Sequence, residues 1–454
     1  MCMNGLSDML HKRFQGKKVL IVGLGLQGGG VGMARFFSDL GAYVKVTDRK
    51  KRGELSESIQ KLAPYKNICY SFGGHPAADF TSSDHIFIGP SVRWDIPQIQ
   101  AAQKKGIPVE MEASFFTSLC PACVIGVTGT RGKSTVSTMI FSLLRKTGRR
   151  AFLAGNVAGS STVEILKHVE RDDYVVLELS SWQLSGFHRK RISPHISVIT
   201  NVYPDHLNYY ASMDEYLYDK KAIYLYQKQG DFLIAHEDLK KIIEKDNPKS
   251  TVTYFKSSDY IGKLPYLRGM HNRDNASSVL KIAEVLHIKR TIAEETLYAF
   301  KGLPGRLEIV KEKARIFFVN DTTSTTPIAT VKAIDSFKNE VIVLILGGNS
   351  KNLPVAELLN KMEYVKRIIL LKGSFTEQML VLMDPREKGK IVGTFDSLEK
   401  AINSAYGIAR ELAQEKKSVY ILFSPGATSF AMFKNEFHRG DEFVRIVEMV
   451  TQHD

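Results

Sequence analysis

Gly126-Val-Thr-Gly129-Thr130-Arg131-Gly132-Lys133-Ser134-Thr135 is the stretch on which the reading of this chain turns. Residues 124–127 before it read as a buried strand, and residues 134–146 after it carry apolar side chains at helical spacing. A glycine-rich loop between a strand and a helix turns backbone N–H groups inward, and the helix N-terminus adds partial positive charge, so the segment suits a phosphate. Lys133 is expected to reach the β and γ phosphates of a nucleotide, with the Ser134 hydroxyl on Mg²⁺. The strict spacing of such loops asks for glycine where Val127 stands, but the core from Gly129 to Thr135 is complete. An ordinary glycine turn would not explain the Lys-Ser-Thr.

Working outward, residues 174–179 and 196–201 read as further strands, and ligands of α/β sheets gather outside the carboxyl ends of strands. Glu178 stands at the first of these ends, where a carboxylate near a phosphate loop suits Mg²⁺. The second runs into Asn201-Val-Tyr-Pro-Asp205-His206-Leu207-Asn208. A histidine preceded by an aspartate serves there either as a metal ligand or as a hydrogen-bonded loop residue. Upstream, a strand at 19–22 leads into Gly23-Leu-Gly25-Leu26-Gln27-Gly28, a helix near 31–40 and a strand at 43–47 that ends at Asp48. By itself this is a dinucleotide-binding fingerprint and would suit an NAD-dependent dehydrogenase. That alternative leaves the second phosphate loop and everything after it unexplained.

Downstream, Gly302-Leu303-Pro304-Gly305 is a turn-rich hinge candidate, followed by strands at 316–320, 341–346, 367–371 and 419–423 with helical patterns between them. Strand and helix alternate throughout, which predicts an α/β protein with mainly parallel sheets. Three domains are expected: Rossmann-like 1–117, a P-loop ATP-binding domain 118–303 and a Rossmann-like domain 304–454.

Composition narrows the class. Hydrophobic residues make up 44% and charged residues 24%, an ordinary globular balance. No apolar run approaches the ~20 residues that span a bilayer, and residues 1–18 lack the apolar core of a signal peptide. A soluble cytoplasmic protein is the expectation. The net charge of +14 is dispersed, without a basic tail or an RNA-binding signature, so it points to anionic small-molecule substrates rather than nucleic acid. Cys120-Pro-Ala-Cys123 has metal or redox spacing, but no second Cys or His pair lies nearby to complete a zinc site.

Taken together, these motifs resemble the Mur ligases, which build the peptide stem of bacterial cell-wall precursors. The resemblance rests on the Gly129–Thr135 loop, Glu178-Leu-Ser-Ser-Trp-Gln, the Asn201…Asp205-His206-Leu207 segment and Gly269-Met-His271-Asn272-Arg-Asp-Asn275. It extends to Gly302-Leu-Pro-Gly-Arg306-Leu-Glu308, Asn320-Asp321 and Ser424-Pro-Gly-Ala-Thr-Ser429-Phe430-Ala-Met-Phe433-Lys434-Asn435, and so covers nearly the whole chain. Gly347-Gly348-Asn-Ser-Lys351 and the first glycine motif favour the branch that joins D-glutamate to UDP-N-acetylmuramoyl-L-alanine.

The resemblance implies a set of roles. An acyl phosphate would form from the substrate carboxylate and ATP and then be attacked by the incoming amine. Gly129, Thr130, Gly132, Lys133, Ser134, Thr135, Asn272, Asn275, Arg306 and Asp321 would bind ATP. Leu26, Gln27, Gly28, Asp48 and Asn156 would hold the UDP-substrate, and Thr325, Lys351 and Ser429 the amino acid. Two Mg²⁺ ions are implied, on Ser134, Glu178, His206 and a carbamylated lysine. Tyr216 plus four selects Lys220 over Lys221 for that role. A monomer is expected, with small-molecule substrates as its partners. The third domain departs from the usual D-glutamate pattern. Thr322-Thr323-Ser324-Thr325-Thr326 stands for Ser-Lys-Ala-Thr-Asn, Glu436 for a Phe, Gly305 for a His and Asn208 for an Asp. An altered amino acid such as L-glutamate is the alternative that these changes keep open.

Overall fold

The structure is a computed structural model describing residues 3–25, 28–157, 161–203, 205, 209–267, 269–350, 353–414, 417–429, 433 and 435–452. It contains three sheets. The first comprises β1 (Lys18–Val22), β2 (Tyr43–Asp48), β3 (Ile68–Phe72), β4 (His85–Ile88) and β5 (Val109–Glu110), all parallel in the order β3-β2-β1-β4-β5. Its central strands are apolar on both faces, with Leu20, Ile21, Ile86 and Phe87 fully buried, as helix-covered parallel strands require. Chain order reverses between β1 and β4, which opens a crevice where Gly23 and Gly89 leave the sheet.

The second sheet comprises β6 (Cys123–Thr128), β7 (Ala151–Gly155), β8 (Tyr174–Glu178), β9 (Ile196–Ile199), β10 (Phe232–His236) and β11 (Thr251–Phe255). All its pairs are parallel, in the order β11-β10-β9-β6-β8-β7. The loop after β6 therefore emerges between the ends of β9 and β8. The third sheet comprises β12 (Glu308–Lys313), β13 (Ile316–Asn320), β14 (Val341–Gly347), β15 (Val365–Leu371), β16 (Ile391–Phe395) and β17 (Val419–Phe423). Its order is β12-β13-β17-β14-β15-β16, parallel except for the β12–β13 hairpin. That hairpin turns on Ala314 and Arg315, both at positive φ, the backbone sign of a type I′ turn.

The chain divides into two compact units, Met1–Gly262 with Met270–Leu297, and Lys263–Gly269 with Tyr298–Asp454. The first two sheets share one unit because one hydrophobic core runs through both, from Phe14, Phe37 and Phe115 to Val124, Val175 and Leu233. In the other unit apolar cores cover both faces of the third sheet, around Leu344 and Leu422 on one side and Ile345 and Phe423 on the other. Among the described residues no helix is long and apolar enough to cross a membrane.

Candidate active site

The phosphate loop is built around two glycines at positive φ, Gly129 and Gly132. A Cβ on Gly129 would run into Thr200 Oγ1, and one on Gly132 into Asn275 Oδ1, so the loop closes only with glycine at both positions. Gly132 is the left-handed residue from which the helix Lys133–Lys146 starts. Asn201, at the end of β9, fixes the loop from the side. Its carbonyl accepts the Thr130 N–H at 2.9 Å, its Oδ1 accepts the Arg131 N–H at 2.9 Å, and its Nδ2 donates to the Arg131 carbonyl at 3.2 Å. The Thr130 hydroxyl lies 3.1 Å from the Tyr216 hydroxyl and accepts the Tyr203 N–H at 2.9 Å. Lys133 Nζ curls back over the loop and donates to the carbonyls of Gly129 at 3.0 Å and Thr130 at 3.1 Å. Ser134 and Thr135 occupy the first turn of the same helix.

Glu178 ends β8 in register with Val127 of β6, one strand from the loop. It is only 3% exposed, and the neutral Asn156 side chain donates Nδ2 to its Oε1 at 3.1 Å. Among the described residues no cation pairs with it. Buried carboxylates are otherwise paired or metal-bound, and a hard oxygen donor of this kind fits Mg²⁺. Lys220, on the helix Met213–Lys221, is 2% exposed and donates Nζ to the Gly129 carbonyl at 3.0 Å. Its neighbour Lys221 instead pairs with Asp246 at 2.8 Å. Burial, reinforced by the Lys133 charge, pushes the Lys220 amine well below the ordinary lysine range, against the opposing pull of Asp205 and Asp219. Asn272 and Asn275 lie on the helix Met270–Val285, joined by an Asn275 Nδ2 to Asn272 Oδ1 bond at 3.1 Å.

A cavity of about 710 Å³ opens at the crevice of the first sheet, lined by Gly23, Gly25, Asp48, His75 and Ser91, and reaches Asn156 of the second sheet. Asp48 shapes its rim: Oδ2 accepts the N–H groups of Leu24 at 2.9 Å and Gly25 at 3.2 Å, and Oδ1 that of Lys50 at 2.9 Å. Gly28, at φ +97, begins the helix Gly29–Asp39. The half-buried Glu112, on the cavity wall, ties the two sheets together, accepting the Ser161 hydroxyl at 2.6 Å and the Val163 N–H at 3.1 Å.

In the second unit, Asp321 sits at the end of β13 and accepts the Ser324 hydroxyl at 2.5 Å, the Ser424 hydroxyl at 2.7 Å and the Leu307 N–H at 3.2 Å. Burial raises its carboxyl to about 6, with those bonds and the Arg306 charge pulling the other way. The folded state thus holds a proton that the unfolded chain has already released between pH 4 and 6, ~2 units above the free carboxyl, so stability falls as pH rises through that window. Asp321→Asn is expected to flatten this limb, measured as urea midpoints across pH 4 to 7. Arg306 is exposed in the turn just before β12, and Thr325 is half-buried in the loop after Asp321. Ser429 is 4% exposed, and its hydroxyl has no hydrogen-bond partner among the described residues.

Two departures from the family pattern meet in space. Gly305 has φ +70, and a Cβ there would lie 2.7 Å from the Thr322 Cγ2 methyl, which also packs against Gly440. Gly305→His is therefore expected to destabilise the fold by ~1–3 kcal/mol through overpacking and a left-handed side chain. Adding Thr322→Ser removes the methyl and should recover part of the loss in thermal melts.

The structure gathers the loop, Glu178, Asn156, Lys220, Asn272 and Asn275 in one unit, and Arg306, Asp321, Thr325 and Ser429 in the other. Leu26, Gln27, His206 and Lys351 lie outside the described residues. Sequence reading assigned no role to Asn201, Tyr216 or Arg439, although Asn201 opens a motif it singled out and Tyr216 sets the spacing that selects Lys220. Arg439 is buried and bonds Thr322 and Ala427, holding the loops that carry Thr325 and Ser429. Cys120 and Cys123 are free thiols pushed up to about 11 by burial, which leaves them poor metal or redox groups.

Comparison with known proteins accords with this geometry. Residues 127–289 match the Mur ligase middle domain, and residues 17–110 the Mur ligase MurD-like N-terminal domain. A protein of Roseiflexus sp. (strain RS-1) named UDP-N-acetylmuramoylalanine–D-glutamate ligase is 33% identical, with 96% of this chain and 99% of that one covered. A protein of the same name from Borreliella afzelii (strain PKo) is 34% identical, covering 95% and 97%. Among solved structures, UDP-N-acetylmuramate-alanine ligase MurC from Thermotoga maritima shares the fold with a TM-score of 0.57 at 18% identity, covering 95% of this chain and 99% of that one. MurF ligase from Thermotoga maritima, solved with ADP, gives 0.52 at 19%, covering 98% and 97%. With whole-length relatives above 30% identity and two family domains in sequence, this chain belongs to the Mur ligase family.

Proposed function

We propose that this chain is the ATP-dependent, ADP-forming ligase that adds D-glutamate to UDP-N-acetylmuramoyl-L-alanine in peptidoglycan precursor synthesis. The observation that carries the reading is near-full-length kinship with ligases named for that reaction. The intact phosphate loop and the buried Glu178, which no cation neutralises among the described residues, support it. The working domains are 1–117 for the UDP-substrate, 118–303 for ATP and 304–454 for the amino acid. The enzyme acts in the cytoplasm as a monomer, on small molecules and without nucleic acid.

The chemistry needs positioning and charge neutralisation more than covalent help from the protein. Backbone N–H groups of Gly129, Thr130 and Gly132, with Ser134, Thr135 and the Lys133 ammonium, hold the ATP phosphates. Asn272, Asn275, Arg306 and Asp321 complete the nucleotide contacts. Mg²⁺ on Ser134, Glu178, His206 and carbamylated Lys220, two ions in all, supplies charge neutralisation at the transferring phosphate. Gly28, Leu26, Gln27 and Asp48 hold the UDP end of the substrate, while Asn156 orients its carboxyl end. One oxygen of the L-alanyl carboxylate attacks the γ-phosphorus and ADP leaves. The D-glutamate amine, its carboxylates held by Lys351, Ser429 and Thr325, attacks the acyl carbon. The tetrahedral intermediate then expels phosphate with that carboxylate oxygen.

Substrate labelled with ¹⁸O in the L-alanyl carboxylate tests this route. The acyl-phosphate reading expects one label in each inorganic phosphate released. Unlabelled phosphate would overturn it.

A further inference from the structure

We propose that His75 is the residue that recognises the nucleoside of the UDP-substrate, by accepting a hydrogen bond from a ribose hydroxyl or the uracil N3–H at its Nε2. This rests on the reading of the 710 Å³ cavity as the nucleotide-sugar site.

The tautomer follows from the neighbours. The Thr47 hydroxyl donates its single proton to the Gly74 carbonyl at 2.9 Å, since a carbonyl can only accept. The same Thr47 oxygen lies 3.1 Å from His75 Nδ1, so Nδ1 must carry the proton and donate. That leaves Nε2 of the neutral ring as an acceptor, and among the described residues it has no partner. His75 lines the cavity beside Asp48, whose carboxylate already accepts three backbone N–H groups. The acceptor most available to a ligand on this wall is therefore the imidazole.

The ring is held in place. Gln98, on the helix Pro97–Lys104, donates Nε2 to the His75 carbonyl at 3.0 Å, and Phe80, on the helix Ala77–Thr81, meets the ring edge-on at 6.2 Å. The charged groups around it are Asp48, Arg49 and Lys50 at the end of β2, and Arg93 on the same cavity. Asp79 on the Phe80 helix faces Lys45, with which it pairs at 2.5 Å. Burial, reinforced by the Arg49 charge against Asp48, lowers the imidazole below its ordinary 6.5 and keeps Nε2 an acceptor at neutral pH.

Calorimetric binding of UDP-N-acetylmuramoyl-L-alanine from pH 5 to 8 tests this, because its pyrophosphate diester does not titrate in that range. Wild type is expected to lose affinity on acidification below pH 6.5, as Nε2 gains a proton and becomes a donor. His75→Phe should bind roughly tenfold more weakly at pH 8, the scale of one hydrogen bond, and show no such slope. His75→Gln, which keeps a neutral acceptor, should restore affinity without the slope and guards against a folding defect. One of the 2′-deoxyuridine, 3′-deoxyuridine and N3-methyluridine analogues should bind wild type as weakly as the parent binds His75→Phe, which identifies the donor. Equal binding by wild type and His75→Phe at every pH, or tighter wild-type binding on acidification, would overturn the His75 assignment alone. Absence of binding by wild type at any pH would overturn the reading of the cavity itself.

Discussion

Lys220→Ala is expected to lower turnover by at least ~10²-fold, on the scale of removing a group on which phosphoryl transfer depends, while Lys221→Ala leaves it within ~2-fold. The two lysines are neighbours on one helix, yet only Lys220 turns into the phosphate loop, and Lys221 is tied to Asp246. A buried amine beside a second ammonium loses its proton readily, and under the proposed assignment the neutral amine adds to the carbon of CO₂ to give a carbamate and release a proton. The carbamate would put an anionic oxygen donor against the phosphate loop, where the Lys220 amine meets the Gly129 carbonyl. The alanine variant leaves a space in which formate or acetate can stand in for the carbamate, so either should restore part of kcat. Steady-state kinetics with and without the added carboxylate make the check. Full activity of Lys220→Ala, or a folded variant that no small carboxylate rescues, would remove the carbamate from the account.

The second large effect concerns stability. Arg439→Met is expected to cost ~3–5 kcal/mol, since it strips a buried hydrogen-bonded charge from its partners. Arg439 is 1% exposed and donates Nε to Thr322 Oγ1 at 3.1 Å, Nη2 to the Thr322 carbonyl at 2.7 Å and Nη1 to the Ala427 carbonyl at 3.1 Å. Burial lowers its guanidinium to about 10, against the Glu436 and Asp321 charges, and it stays charged at neutral pH. Methionine fills much of the volume but leaves those acceptors unpaired. Arg439→Lys keeps the charge but loses the planar fork, and should fall between the two. Urea unfolding of the three proteins orders them. A variant that also raises the KM for the amino acid more than that for ATP would reflect slackening of the loops bearing Thr325 and Ser429.

How much of this was legible in the sequence varies with burial. The strands β1, β6, β13, β14 and β17 announce themselves as continuous apolar runs because both faces are covered. β3, β11, β12 and β16 are edge strands with mixed exposure, so polar residues interrupt them or their apolar runs stay short. β12 was hidden further because its hairpin turns on Ala314-Arg315 rather than a glycine-bearing pair. The phosphate loop and Glu178 could be placed from their motifs, since glycine and strand-end positions follow from local geometry. Lys220 was picked over Lys221 from its spacing after Tyr216, whereas the roles of Arg439 and His75 needed partners far away in sequence. Those roles arise from tertiary contacts that no local spacing encodes.

The most direct measurement is the mass of the product formed from ATP, Mg²⁺, UDP-N-acetylmuramoyl-L-alanine and D-glutamate, with L-glutamate in a parallel reaction and ADP counted in both. The account predicts a UDP-linked product heavier by one glutamyl residue, one ADP for each, and none with L-glutamate. A product that forms only with L-glutamate, or ADP released with no change in the mass of the UDP-substrate, would contradict it.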